Sequence, residues 1–242
     1  MSEHFVVTGG SRGIGAAIVR AAARAGHEVS FTYHRDTNAA TGLVTECGPR
    51  VQAIQSDVAD TDAAGTVLDT VTRTRGEVTV LVNNAGITGP LGDFLSVSQT
   101  TVREVFDVNV FGLWAMTAAV VRYWRAHSLP GVVVNLSSIA ATTGAPGEYV
   151  GYAASKAAVE AITRGLGREL APDIRVVGIA PGTTDTDIHA AAGDPDRAQR
   201  VVERIPLGRI ATADEIAAAV LFAAGENASY LTATTITVAG GL

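Results

Sequence analysis

The sequence predicts an α/β domain built on a doubly wound parallel sheet. Two observations carry this. Short β-rich runs alternate with longer helical patterns along the chain, and most of those runs are continuous apolar stretches rather than strict alternations. A strand without a polar face suits a sheet covered on both sides, with right-handed helical crossovers between parallel strands.

The elements follow in order. The run "HFVVTG" (4–9) reads as the first strand, and the alanine-rich amphipathic stretch 13–25 as the first helix. "EVSFTY" (28–33) is the second strand, followed by a helix over 37–47. "VQAIQS" (51–56) precedes a helix over 61–75, and "VTVLVN" (78–83) a long helix over 99–126. "GVVVNLS" (131–137) leads to a helix over 150–171, "IRVVGIA" (174–180) to one over 213–225, and "TTITVAG" (234–240) is the last strand. No linker, fixed-period repeat or low-complexity tract divides the chain, so residues 1–242 are expected to form one domain. The least regular stretch, 183–211, holds Pro195, Pro206 and several charges, and reads as a flap beside a site.

The bulk numbers narrow the function. Hydrophobic residues make up 47% and charged residues 17%, enough apolar material for a sizeable core. The net charge of −6 argues against nucleic acid or an anionic membrane as a main partner. The single cysteine, Cys47, permits no intrachain disulfide and no multi-cysteine metal site, and the five histidines show no metal spacing. The start lacks a basic region followed by an apolar run, and no uninterrupted apolar stretch of ~18 residues appears. A soluble cytoplasmic protein without a metal is expected.

The first strand ends in a glycine-rich turn. "VVTGGSRGIGAA" places Gly9, Gly13 and Gly15 where strand gives way to helix, with the spacing G-x-x-x-G-x-G. Such glycines allow a tight turn and close backbone approach to a pyrophosphate, and the helix N-terminus offers free N–H groups and partial positive charge. An NAD site usually has an acid at the end of the second strand. Here that end reads "YHRD", with Tyr33, His34 and Arg35 ahead of Asp36, and Arg12 lies within the glycine turn. Two guanidinium groups converging on one corner match a ribose 2′-phosphate, so NADP(H) is expected over NAD(H).

Lys156 is the one lysine in the chain, against seventeen arginines. It follows Tyr152 by four residues in a helical stretch, so the two share a face. A phenol with an ordinary pKa near 10 is a poor acid at neutral pH, and a neighbouring cation stabilises its anion. Lysine supplies a compact charge on a flexible stem, where arginine would bring a wide planar fork. Tyr149 is a rival phenol, but the residue four beyond it is Ala153. Ser137 and Ser138 compete in the same way, since adjacent strand residues point oppositely.

Taken together, the glycine turn, "NNAG" (83–86), "YAASK" (152–156) and "PG" (181–182) resemble the short-chain dehydrogenase/reductase family, in its order and spacing from about residue 4 to 242. The resemblance implies a single Rossmann-type domain with seven parallel strands and helices on both faces, commonly a homotetramer. It implies hydride transfer between the cofactor and a carbonyl or secondary alcohol. It assigns Thr8, Gly9, Ser11, Arg12, Gly13, Ile14 and Gly15 to the cofactor loop; Arg35, read from the end of the second strand, is expected beside the 2′-phosphate. Asp57 and Val58 would meet the adenine, and Asn83, Ala85 and Gly86 would support the adenosine side. Asn109 would help hold a proton-relay water, and Ser138, Tyr152 and Lys156 would be the catalytic trio. Pro181, Gly182, Thr184 and Thr186 would position the nicotinamide amide.

Three departures stand out: Thr184 occupies a position where the family often has Ile or Val, and Ala233 and Ala239 occupy positions where it more often has Gly and Asp. Ala140–Thr143, Pro146, Ala190–Ala192 and His189 are candidate substrate neighbours. Trp114, Met116 and Trp124 read as core or subunit-contact residues. A 3-oxoacyl-thioester reductase, a sugar dehydrogenase and a non-catalytic nucleotide-binding regulator are the alternative functions.

Overall fold

The apolar runs become seven parallel strands in the order β3-β2-β1-β4-β5-β6-β7. They are β1 (His4–Val7), β2 (Glu28–Tyr33), β3 (Val51–Gln55), β4 (Val80–Asn83), β5 (Gly131–Leu136), β6 (Ile174–Pro181) and β7 (Thr234–Val238). The structure is a computed structural model and describes residues 2–186 and 201–242. Its helices are α1 (Gly13–Arg24), α2 (Thr37–Cys47), α3 (Ala63–Arg75), α4 (Gln99–Phe106), α5 (Leu113–His127), α6 (Ala140–Thr143), α7 (Val150–Glu169) and α8 (Ala213–Ala224).

The continuous apolar runs have a simple cause. Phe5, Val7, Val80, Val82, Val134, Leu136, Val177 and Ile179 point to one face, where they pack with residues of α1, α2 and α8. Val6, Leu81, Val133 and Val176 point to the other, against α3, α5 and the end of α7. Successive side chains alternate, so a strand covered twice needs apolar residues at every position.

The expected single helix over 99–126 is interrupted. A π-helical turn, Asp107–Gly112, separates α4 from α5. Such turns are uncommon and frequently mark functional sites. Here it carries Asn109, and Gly112 lies so close to β3's exit that a Cβ there would sit 2.5 Å from the carbonyl oxygen of Val58. The combined run Gln99–His127 is long and apolar enough to cross a bilayer by composition alone. Its apolar side is spent on the core instead: Met116, Val120 and Trp124 are buried, and the Trp124 indole donates to the carbonyl of Val78 at 2.6 Å. Trp114, by contrast, is 56% exposed.

The strand order reverses between β1 and β4. In open α/β sheets the crevice beyond the carboxyl ends at such a point is where ligands bind. Every sequence motif singled out above that lies in the described residues falls on that edge.

Candidate active site

The turn from β1 into α1 is shaped by close approach. Gly9 (φ 65°) and Gly13 (φ 54°) adopt backbone angles that side chains disfavour. A Cβ on Gly9 would come within 2.9 Å of the Ala85 Cα, and one on Gly15 would overlap the carbonyl of Gly9 and lie 2.6 Å from the Asn84 amide nitrogen. The turn is pinned from two sides. Gly9 N–H donates to Thr32 Oγ1 at 3.2 Å and Gly10 N–H to the Thr32 carbonyl at 2.8 Å. Asn84 donates its side-chain amide to the carbonyls of Thr8 and Gly9, each at 3.0 Å. Thr8 Oγ1 in turn accepts from the backbone N–H groups of Asn84 and Ala85 at 3.1 Å. Arg12 stands at the N-cap of α1 and makes no side-chain cap, which leaves the first-turn N–H groups for an anion. Ser11 and Ile14 are half-buried beside them. This cradle, which added Cβ atoms would fill, fits a pyrophosphate.

Beyond it, the ends of β2 and β3 hold the charged groups. Arg12 and Arg35 are exposed, and neither forms an ion pair with a described residue. Asp36 is committed elsewhere: it caps α2 by accepting from the Ala39 N–H at 2.9 Å. Asp57 accepts from the Ala59 N–H at 3.0 Å and pairs with His34 at 3.3 Å.

Lys156 sits at the centre of the crevice, only 5% exposed. It lies in the first half of α7, and its Nζ donates to the carbonyl of Leu136, the last residue of β5, at 2.7 Å. The ammonium is 5.7 Å from the centroid of the Tyr152 ring. Burial pushes it down to about 8 from lysine's ordinary 10.5. Gly86 makes room: a Cβ there would stand 3.4 Å from this Nζ and 3.2 Å from Asn109 Oδ1. Tyr149, buried at the start of α7, packs edge-on against Tyr152 with ring centroids 5.4 Å apart.

The two serines part as strand geometry requires. Ser137 is buried and donates towards the Glu160 carboxylate at 3.1 Å and the Lys156 carbonyl at 3.3 Å, on the underside of α7. Ser138 is half-buried at the head of the loop, and its Oγ accepts from the Ala140 N–H at 3.1 Å. Asn109 is tied to the turn after β4. Its Oδ1 accepts from the Ile87 N–H at 2.9 Å, and its Nδ2 donates to the Ile87 carbonyl at 2.9 Å and to Ser155 Oγ at 3.0 Å. Ser155 lies one residue before Lys156, so the π-helical turn braces α7 directly.

The loop after β6 closes the far side. Pro181 accepts from the Ile139 N–H at 3.0 Å, and a Cβ on Gly182 would lie 2.8 Å from the Ala239 Cα. Thr184 is buried and donates to the Gly182 carbonyl at 3.1 Å. The Thr186 methyl would be 3.4 Å from a Cβ on Gly13, so this loop reaches back to the glycine turn. His189, Ala190–Ala192 and Pro195 lie outside the described residues.

One expectation needs correction. The Asn83 side chain does not face the cofactor edge. It is buried beneath it, donating to Thr117 Oγ1 at 2.8 Å and to Asn135 Oδ1 at 2.9 Å. Its neighbour Asn84 makes the contacts that hold the glycine turn. Sequence reasoning missed Asn84, Thr32 and the wall formed by 88–98. Leu91 in that wall packs, as Tyr152 does, against the buried cluster of Ala140, Ala145, Tyr149 and Ala153, and Gly92 N–H donates to the Glu148 carbonyl at 2.8 Å. The pair "NN" was on the page, but only alternation past the end of β4 distinguishes its members.

A phosphate cradle at the switch point, followed by a buried lysine beside a tyrosine one helical turn away, defines a dinucleotide-dependent oxidoreductase of the Rossmann type. A family model described as "Enoyl-(Acyl carrier protein) reductase" matches residues 9–242, and the chain belongs to the short-chain dehydrogenase/reductase family. It is 35% identical over 242 residues to the uncharacterized oxidoreductase YgfF of Escherichia coli K12, covering 98% of both chains. Its fold is similar to that of a 3-ketoacyl-(acyl-carrier-protein) reductase from Brucella melitensis complexed with NADH (TM-score 0.92, 27% identity, 99% and 97% coverage). It is also similar to that of a blue fluorescent protein from a metagenomic library in complex with NADPH (TM-score 0.89, 35% identity, 99% and 97% coverage).

Proposed function

We propose that the protein is an NADP(H)-dependent reductase of carbonyl compounds, working in reverse as a dehydrogenase of secondary alcohols. The observation that carries this reading is the buried Lys156 ammonium beside the Tyr152 ring, in front of the glycine turn. The cofactor supplies the hydride. The chain supplies the rest. Gly9, Gly13 and Gly15 with the N-terminus of α1 hold the pyrophosphate, Arg12 and Arg35 the 2′-phosphate, Asp57 and Val58 the adenine side, and Pro181–Thr186 the nicotinamide end. Tyr152 gives its phenolic proton to the substrate oxygen as negative charge develops there. Lys156 stabilises the tyrosinate left behind, a type of assistance worth ~10²–10⁴ in rate. Ser138 donates a hydrogen bond to the same oxygen. Asn109 braces Ser155 and with it the turn of α7 that carries Lys156.

The likeness to the Brucella reductase supports a 3-oxoacyl thioester as substrate. The segments 88–98, 140–149 and 183–186 border the substrate. Exposed Phe111 in the π-helical turn and Trp114 at the start of α5 support assembly into a homotetramer, which light scattering would check. The reading places the enzyme in the cytoplasm.

A carbonyl panel containing acetoacetyl thioesters, simple ketones and sugar lactones, run with NADPH and with NADH, tests the proposal. Turnover is expected with NADPH, highest on the thioesters, and Tyr152→Phe abolishes it while leaving the NADPH Kd nearly unchanged. Full turnover by Tyr152→Phe would remove the tyrosine as acid. NADPH binding without oxidation by any carbonyl would point to a regulator instead.

A further inference from the structure

The π-helical turn Asp107–Gly112 touches two separate parts of the crevice. Gly112 is buried against the exit of β3. A Cβ on it would lie 2.5 Å from the Val58 carbonyl oxygen, 2.7 Å from Val58 Cγ2 and 3.0 Å from the Val58 carbonyl carbon. Most of that obstacle is backbone, which cannot swing aside as a side chain can. The Gly112 angles, φ −63° and ψ −44°, are ordinary helical values. Glycine is therefore needed here for close approach and not for conformational freedom, although it weakens a helix relative to alanine. Gly112 also lines the crevice that Thr8, Thr32, Asp57 and Val58 form beside the glycine turn.

Three residues earlier in the same turn, buried Asn109 reaches the catalytic helix. Its Nδ2 donates to Ser155 Oγ at 3.0 Å, and Ser155 Oγ donates to the Tyr152 carbonyl at 2.7 Å. Ser155 is fully buried and immediately precedes Lys156. The other side of Asn109 is fixed by Ile87, to whose N–H and carbonyl it bonds at 2.9 Å each. One short turn thus runs from the Val58 carbonyl to the residue that ties Tyr152 to Lys156. Resting on the proposed reading, which puts Val58 on the adenine side, we infer that Gly112 is a positioning residue for the reaction. It seats the π-helical turn against Val58, so that filling the adenine corner steadies the turn of α7 that carries Tyr152 and Lys156. Binding energy from the half of the cofactor that does not react is thereby used to align the groups that do.

Two half-cofactors test this. Adenosine 2′,5′-bisphosphate fills the adenine corner alone, and reduced nicotinamide mononucleotide carries the hydride alone. Hydrogen exchange read by mass spectrometry follows the first without turnover. In the wild type the bisphosphate should slow exchange in 107–112 and in 150–158. Ser155→Ala cuts the link to α7 and touches nothing at Val58. It should keep the first protection, lose the second, and keep the bisphosphate Kd within about two-fold. General stabilisation by a ligand would instead slow 150–158 in both proteins. With reduced nicotinamide mononucleotide as donor, the bisphosphate should raise wild-type turnover roughly ten-fold and leave that of Ser155→Ala unchanged. Gly112→Ala should lower kcat at saturating NADPH by roughly ten-fold or more, where a residue serving the adenine alone would change only Kd. If Gly112→Ala does not fold, the comparison of wild type with Ser155→Ala still decides. Equal protection of 150–158 in those two proteins, or none in the wild type, would overturn the inference and leave the cofactor reading standing. A bisphosphate that neither competes with NADPH nor protects 56–60 would overturn both.

Discussion

The Lys156 ammonium stands 5.7 Å from the centroid of the Tyr152 ring and is enclosed by protein. A cation with no carboxylate partner among the described residues costs stability in such a place. Its pKa falls from 10.5 to about 8 by desolvation, which corresponds to roughly 3 kcal/mol. The sign is fixed by linkage: below about pH 8 the folded protein carries the full cost, and between 8 and 10.5 the folded state releases its proton first, so this contribution relieves as pH rises. Lys156→Met removes it. The stability of Lys156→Met relative to wild type should therefore be greatest below pH 8 and decline by up to about 3 kcal/mol on approaching pH 10.5. Urea unfolding of both proteins across that range measures the difference, and a gap that does not change with pH would contradict it.

The serine pair gives a separable prediction. Ser138→Ala should lower kcat by ~10²–10³ with little change in Tm. Ser137→Ala removes one partner of a largely buried carboxylate, Glu160, which keeps its ion pair with Arg164 at 3.5 Å, and should cost about 1–2 kcal/mol of stability while keeping kcat within about ten-fold. Steady-state kinetics beside thermal unfolding distinguishes the two.

Asn84 holds the carbonyls of Thr8 and Gly9. Asn84→Ala should raise the cofactor Kd about ten-fold through a looser glycine turn, with a smaller effect on kcat at saturating cofactor. Isothermal titration checks the first part and kinetics at high cofactor the second. Asn83→Ala should instead appear mainly as a loss of stability, since that amide bridges Thr117 and Asn135 in the interior.

Ala233 sits at φ 57°, a left-handed angle that costs an alanine about 1–2 kcal/mol. Ala233→Gly relieves it against an unfolded-chain penalty of about 0.4–1 kcal/mol. A modest rise in Tm with unchanged activity is expected. A fall in Tm would mean that the methyl's packing outweighs the strain.

The strands, and most of the residues that the fold gathers at the candidate site, were legible in the sequence, for identifiable reasons. Both faces of the sheet are covered, so β1, β4, β5 and β6 left unbroken apolar runs. Lys156 was legible because the chain uses arginine at every other cationic position. The break around Asn109 was not, since a π-helical turn disturbs the register of a helix without changing its composition. Nor were the pins on the glycine turn. Thr32 and Asn84 lie 23 and 75 residues from Gly9 along the chain, and a contact across such a distance leaves no periodic trace. His34 appeared only as a neighbour of Arg35 until the fold brought Asp57 beside it.

The glycine turn is touched by β2 through Thr32, by the turn after β4 through Asn84, and by the loop after β6 through Thr186. No early fragment of the chain can reproduce that arrangement. During synthesis the nucleotide cradle lacks its last neighbour until residue 186 has left the ribosomal tunnel and β6 has docked. Capture of the dinucleotide thus reports near-completion of the whole sheet, and a nascent polypeptide halted before that point should pass through a nucleotide-affinity column unretained.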